Sequence, residues 1–97
     1  MPLPAAPDTT ERFILLGDVG AMVFTGWIIR HARRLGLRGA ILRQDPARLD
    51  LVVTGPPDLL DALALACSLG PQEVWVDRID RAPENLPRVN EFSSTAA

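Results

Sequence analysis

The nine residues Gly17-Asp18-Val19-Gly20-Ala21-Met22-Val23-Phe24-Thr25 decide how the rest of the chain is read. They follow a short apolar run, Phe13 to Leu16, that has the character of a strand closed by a glycine. From Met22 onward the apolar period changes to that of a helix. A glycine-punctuated turn between strand and helix aims backbone N–H groups beyond the helix N-terminus, where they favour an anion. The stretch therefore predicts a phosphate cradle built from Gly17, Asp18, Val19, Gly20, Ala21 and Met22.

On the C-terminal side, Phe24, Ile28, His31, Ala32 and Leu35 share one helical face, and Arg30, Arg33 and Arg34 point elsewhere. Gly36 closes this helix as a C′ glycine, with arginines in the last turn complementing the dipole. Ala40 to Arg43 is expected to form a second strand. Gln44-Asp45-Pro46-Ala47 reads as a turn, because Asp-Pro disfavours helix before it. Arg48 to Thr54 then completes a hairpin. Gly55-Pro56-Pro57-Asp58 opens a second helix with Leu59, Leu60, Leu63, Ala66 and Cys67 on its core face, and Gly70-Pro71 stops it. Val74 to Asp80 alternates as a fourth strand, and the segment beyond Arg81 adds at most one weak edge strand. The order strand, helix, strand, strand, helix, strand predicts an α+β, ferredoxin-like βαββαβ sandwich with two helices on one face of an antiparallel sheet. Residues 1–11 are expected to be a flexible arm, 12–92 the domain and 93–97 a disordered tail.

A chain of 97 residues supports one domain with one core. Its 47% apolar and 23% charged residues are those of a soluble globular protein. Ten basic residues, all arginine, stand against twelve acidic ones, for a net charge of −2. That balance argues against nucleic-acid or membrane binding through bulk charge. A single cysteine, Cys67, excludes an intrachain disulfide and a cysteine-based metal site. The N-terminal residues lack a signal-peptide pattern, and no apolar run approaches the roughly 18 residues that span a bilayer. A cytoplasmic location is therefore expected. Neither a Walker-type loop nor metal-ligand spacing is visible, so no metal or organic cofactor is expected.

The joint spacing of several landmarks resembles the acylphosphatase family from about Phe13 to Asp80. The family's cradle motif G-x-V-Q-G-V-x-F-R is met at Gly17, Val19 and Phe24. Ala32, Leu35-Gly36-Leu37 and Gly39 match an A-x-x-L-G-L-x-G run, and Arg48-Leu49-Asp50 is similar to the G-R-V-E stretch of the third strand. Gly55-Pro56, Gly70-Pro71 and Val76-Asp77 match G-P, G-P and V-D landmarks. The resemblance implies a ferredoxin-like hydrolase of the carboxyl-phosphate bond of acyl phosphates. In that family the motif arginine and the cradle amides hold the phosphoryl group, and an asparagine on the second strand positions the attacking water. Thr25 and Arg43 occupy those two positions here.

Threonine offers one neutral hydroxyl where arginine offers a charged, planar fork. Removing one preorganised donor to developing charge costs about 10²–10³ in rate, and losing the asparagine removes orientation as well. Ala21 replaces a cradle glycine, at a cost if that site needs positive φ, unless Gly20 moves the flexible position by one. Arg43 is expected to start near the cradle mouth and to be the candidate for restoring positive charge. The expectation is an acylphosphatase-like protein with lost or strongly weakened catalysis, acting as an anion-binding or protein-interaction module. The alternative is a working acylphosphatase in which Arg43 and the amides of Gly20, Ala21 and Met22 hold the phosphoryl group and Thr25 orients water. The ligand in either case is phosphate or another small anion. Trp75 on the open sheet face, or Leu65 and Leu69 on the outward face of the second helix, are candidate contacts for a protein partner or a homodimer. His31 and Cys67 read as packed side chains without chemistry.

Overall fold

Phe13 and Leu15 alternate with more exposed neighbours, and both are fully buried. They lie on β1 (Thr9–Asp18), which a computed structural model places inside the sheet. The structure describes residues 7–84 and 92–93. After β1 come α1 (Met22–Arg34), β2 (Arg38–Asp45), β3 (Arg48–Gly55), α2 (Pro57–Leu69), β4 (Trp75–Pro83) and β5 (Phe92–Ser93). The sheet order is β4-β1-β3-β2-β5. Neighbours are antiparallel except β5, which pairs parallel to β2. This is the ferredoxin-like βαββαβ sandwich.

The strands outrun their local sequence signals because cross-strand partners extend them. Thr9 pairs with Gly55, and the Thr10 and Thr54 hydroxyls meet at 2.7 Å, so β1 starts within the expected arm. At the other end β5 includes Ser93, where the tail was expected to begin. The remainder of the arm and tail (residues 1–6 and 94–97) lies outside the described residues. Helix ends follow their local chemistry. Gly36 takes φ 73°, and the Leu37 amide donates to the Ala32 carbonyl at 2.9 Å, closing α1 in a Schellman arrangement. Pro57 opens α2 with Asp58 in its first turn.

One core fills the space between helices and sheet. Phe24, Ile28 and Ala32 from α1 and Leu60, Leu63 and Cys67 from α2 meet Phe13, Leu15, Leu49, Leu51 and Val53. Each large apolar side chain buried there contributes about 1.5–3 kcal/mol. Leu59 packs at the margin of this cluster, and Ala66, expected on the core face, is only half-buried. Burial pushes the Cys67 thiol up to about 12, so at neutral pH it is a protonated core hydrophobe. An aromatic disulfide reagent should therefore leave the native protein unmodified and react once urea unfolds it. Labelling of the native state at the global rate of a free thiol would contradict the packing.

The second sheet face carries charge. Asp50 is 1% exposed, between Leu49 and Leu51, and therefore points away from the helices. Arg48 donates to its two carboxylate oxygens at 2.8 and 2.9 Å, and Arg12 from β1 adds a third bond at 3.1 Å. The hydrogen bond from Arg48, helped by Arg12, holds the Asp50 carboxyl below its ordinary value although burial opposes this. A depressed carboxylate stabilises the fold above its unfolded-state pKa, and the contribution disappears as pH falls through the folded value. Asp50→Asn should thus lower the urea midpoint at pH 7 and flatten its decline in acid. A variant whose midpoint falls with acid as steeply as the parent's would remove Asp50 as a source of that decline.

Candidate functional site

The cradle loop joins β1 to α1 and is fixed from below and from the side. Val19 is fully buried in the core, which anchors the loop centre. The Gly17 and Val19 amides donate to the Ala47 and Pro46 carbonyls at 3.2 and 3.0 Å, so the β2–β3 turn clamps the loop. Gly17 takes φ 147° at a β-bulge, and a Cβ there would meet the Trp75 carbonyl oxygen at 2.2 Å. Gly20 has ordinary φ and is required for closeness instead, since its Cβ would fall 2.7 Å from Pro46 Cα. Ala21 sits at φ −62°, ψ 128° as the N-cap of α1, so its Cβ costs nothing. The expected strain at Ala21 is thus absent, and the loop needs no relocated flexible position.

No side chain caps α1, and its first turn carries no acid. The opening N–H groups of the helix, those of Met22 and Val23, lack intrahelical acceptors, and the helix end carries about half a positive charge. Met22 is exposed above them, and Asp18 is exposed at the end of β1. The N-terminus of α1 therefore presents N–H groups without intrahelical acceptors and the positive end of the helix dipole.

The side chains differ from expectation, and the cause is a β-bulge in β2. Ile41 pairs with Leu51, but Arg43 pairs with Asp50 and Gln44 with Leu49. The extra residue reverses the alternation, because paired residues share a sheet face. Gln44 is turned to the helix-bearing face beside Leu49, and Arg43 to the charged face beside Asp50. Arg43 there forms an exposed ion pair with Asp45. The position expected to bring positive charge to the cradle thus points to the opposite side of the sheet.

Gln44 fills the place instead. The Thr25 hydroxyl donates to Gln44 Oε1 at 2.5 Å. Gln44 Nε2 donates to the Val19 and Ala21 carbonyls at 3.3 and 3.2 Å. Thr25, Gln44 and the loop form one closed, neutral hydrogen-bond network. The sequence carries no local signal for Gln44, because Arg43-Gln44-Asp45 is polar throughout and either register could be drawn through it.

A sequence model of the acylphosphatase family matches residues 11–94. This chain belongs to the acylphosphatase family. An acylphosphatase of Marinobacter nauticus is 33% identical over 87 residues, covering 88% of this chain and 92% of its own. One from Alkalilimnicola ehrlichii is 32% identical over 73 residues, covering 75% and 82%. The solved acylphosphatase of Coxiella burnetii superposes with a TM-score of 0.83 at 19% identity over 91% of this chain and 93% of that one. The Bacillus subtilis acylphosphatase gives 0.80 at 23% identity over 90% and 98%.

The other singled-out side chains lie outside the cradle network. His31 is half-buried, stacks on Trp27 at 3.9 Å between ring centroids, and its Nδ1 lies 2.9 Å from the Trp27 carbonyl oxygen. Trp75 is exposed, with its indole N–H donating to Asp77. Leu65 and Leu69 are exposed on α2. Among the described residues no group of three or more His, Cys, Asp or Glu is placed to hold a metal ion, and no helix is long and apolar enough to cross a membrane.

The loop's dependence on Gly17 gives a direct test. Gly17→Ala meets both the unfavourable φ and the Trp75 carbonyl, and should cost roughly 2–4 kcal/mol. A urea midpoint within error of the parent's would show that the loop is not held as described.

Proposed function

We propose that this acylphosphatase-family chain has lost, or retains only weakly, the hydrolysis of acyl phosphates, and holds a small anion through backbone amides alone. The carrying observation is the bond between Thr25 and Gln44, with Gln44 in turn bonded to the loop. The position of the family's phosphate-holding arginine is thereby occupied by neutral groups that satisfy one another. A ligand that displaces them gives up bonds worth about 0.5–1.5 kcal/mol each. What remains is the helix terminus, which contributes about 0.3–1 kcal/mol to a nearby negative charge at an exposed site. Asp18 adds negative charge to the same loop. These terms support a weak anion site and not the strong preorganised field that phosphoryl transfer requires.

The second reading, a working acylphosphatase, is supported by the relatives of that name and by the carboxamide of Gln44. Its oxygen keeps a second lone pair that a water can use. For Arg43 to supply charge it would have to leave Asp45 and reach across from the other sheet face.

Hydrolysis of a purified aromatic acyl phosphate separates the two. The parent should turn over at least about 100-fold more slowly than the enzyme median of roughly 10 s⁻¹. The double change Thr25→Arg with Gln44→Asn, which supplies the fork and frees room for it, should raise the rate about tenfold or more. Parent turnover within tenfold of the median would sink the proposal in favour of the working enzyme.

A further inference from the structure

The two helices run antiparallel on the sheet, because α1 returns along β1, α2 returns along β3, and those strands are antiparallel. α1 therefore starts at the end of the helical layer where α2 finishes. Thr25 bonds to Gln44 of β2, so that flank of α1 faces β2. Asp61 of α2 pairs with Arg81 of β4 at 3.0 Å, so that flank of α2 faces β4. β2 and β4 lie on opposite sides of β1 and β3. The remaining flank of each helix borders the groove between the two.

Helical spacing fixes what lines that groove. On α1 the stripe is Val23, Trp27, Arg30 and Arg34, at steps of three and four residues. On α2 it is Leu59, Ala62, Ala66 and Leu69, at the same steps. Val23 and Leu69 share one end, and Arg34 and Leu59 the other. The first end is apolar and open, with Leu69 76% and Val23 45% exposed and Trp27 half-buried. Ala62 and Ala66 keep the α2 wall low along its middle.

The other end is cationic. Arg12, Arg38, Arg43, Arg48, Arg78 and Arg81 each hold a carboxylate. Arg30 and Arg34 are exposed and have no carboxylate partner among the described residues. α1 itself contains no acid. The helix dipole favours Arg34 in the last turn, but Arg30 lies before that turn.

We propose that this groove docks an acidic amphipathic helix of a partner protein. Apolar side chains of that helix lie on Val23, Trp27 and Leu69, and acids one to two turns further along it meet Arg30 and Arg34. The 13 residues of α1 give the groove a length of about 18 Å, which is about three turns of the incoming helix. Charge sets the orientation, and burial around Trp27 holds the contact. A lipid surface fits less well. It would rest on the outward crest of α2, where exposed Asp58 shares a stripe with Leu65 and repels anionic headgroups.

Trp75→Phe leaves Trp27 as the sole tryptophan, which makes its emission a reporter of the groove. The probe is a synthetic helix of about 15 residues, with leucines on one half of one face and glutamates on the other half. Trp27 emission should move to the blue and saturate as this peptide is added. Arg30→Glu with Arg34→Glu should weaken binding about tenfold or more. The same peptide with lysines for glutamates should recover binding on that double variant, which also shows that its groove is folded. Leu69→Asp should weaken binding of the glutamate peptide by about tenfold. Far-ultraviolet circular dichroism checks each variant, and phosphatidylglycerol vesicles should leave the emission unchanged. Emission unmoved at millimolar peptide overturns the proposal. So does an affinity indifferent to charge reversal, or a double variant that the lysine peptide fails to recover. A shift with the vesicles assigns the surface to lipid and overturns it as well.

Discussion

The antiparallel pairing of β1 with β3 holds the rest of the molecule in place. It sets Phe13 opposite Leu51 and Leu15 opposite Leu49, which makes one apolar face for both helices. The same register sets Arg12 beside Asp50 on the other face. It also sets the end of β1 against the start of β3, so that the Pro46 and Ala47 carbonyls receive the Val19 and Gly17 amides. A slip by one residue would reverse both faces and release the loop. Core, buried carboxylate and cradle therefore depend on a single register.

Within that frame one inserted residue in β2 decides the electrostatics of the site. A regular β2 would have kept Arg43 on the face of Ile41, beside the cradle. The bulge sends Arg43 to the side of Asp45 and Asp50 and brings Gln44 in. An arginine there would have needed a desolvated charge among loop carbonyls, and a carboxamide matches a hydroxyl and two carbonyls without any charge.

The fold was legible because its signals are local and repeated. Period-two and period-3.6 spacing, Gly36 and Gly70 at helix ends and Pro57 at a helix start all act within a few residues. The position of the strand-to-helix loop was legible for the same reason. Its side-chain content was not, because a bulge is set by the partner strand and leaves no mark in Arg43-Gln44-Asp45. The role of Gly20 was misread similarly. The glycine answers to Pro46 of another turn and not to its own φ. Strand ends at Thr9 and Ser93 also depend on partners distant in sequence.

The loop's supports explain how its chemistry can change while its shape persists. Val19 in the core, Gly17 at the bulge and two backbone bonds to the Pro46–Ala47 turn hold it, and none of these uses a charged side chain. A catalytic arginine at the Thr25 position would stand in the first turn of α1. In the free protein it would be a cation close to the positive end of α1, which is unfavourable. Replacing it with a hydroxyl bonded to Gln44 removes that repulsion and satisfies two loop carbonyls. Stability and catalysis thus pull in opposite directions at this position. The neutral network of Thr25, Gln44 and the loop favours the first of them.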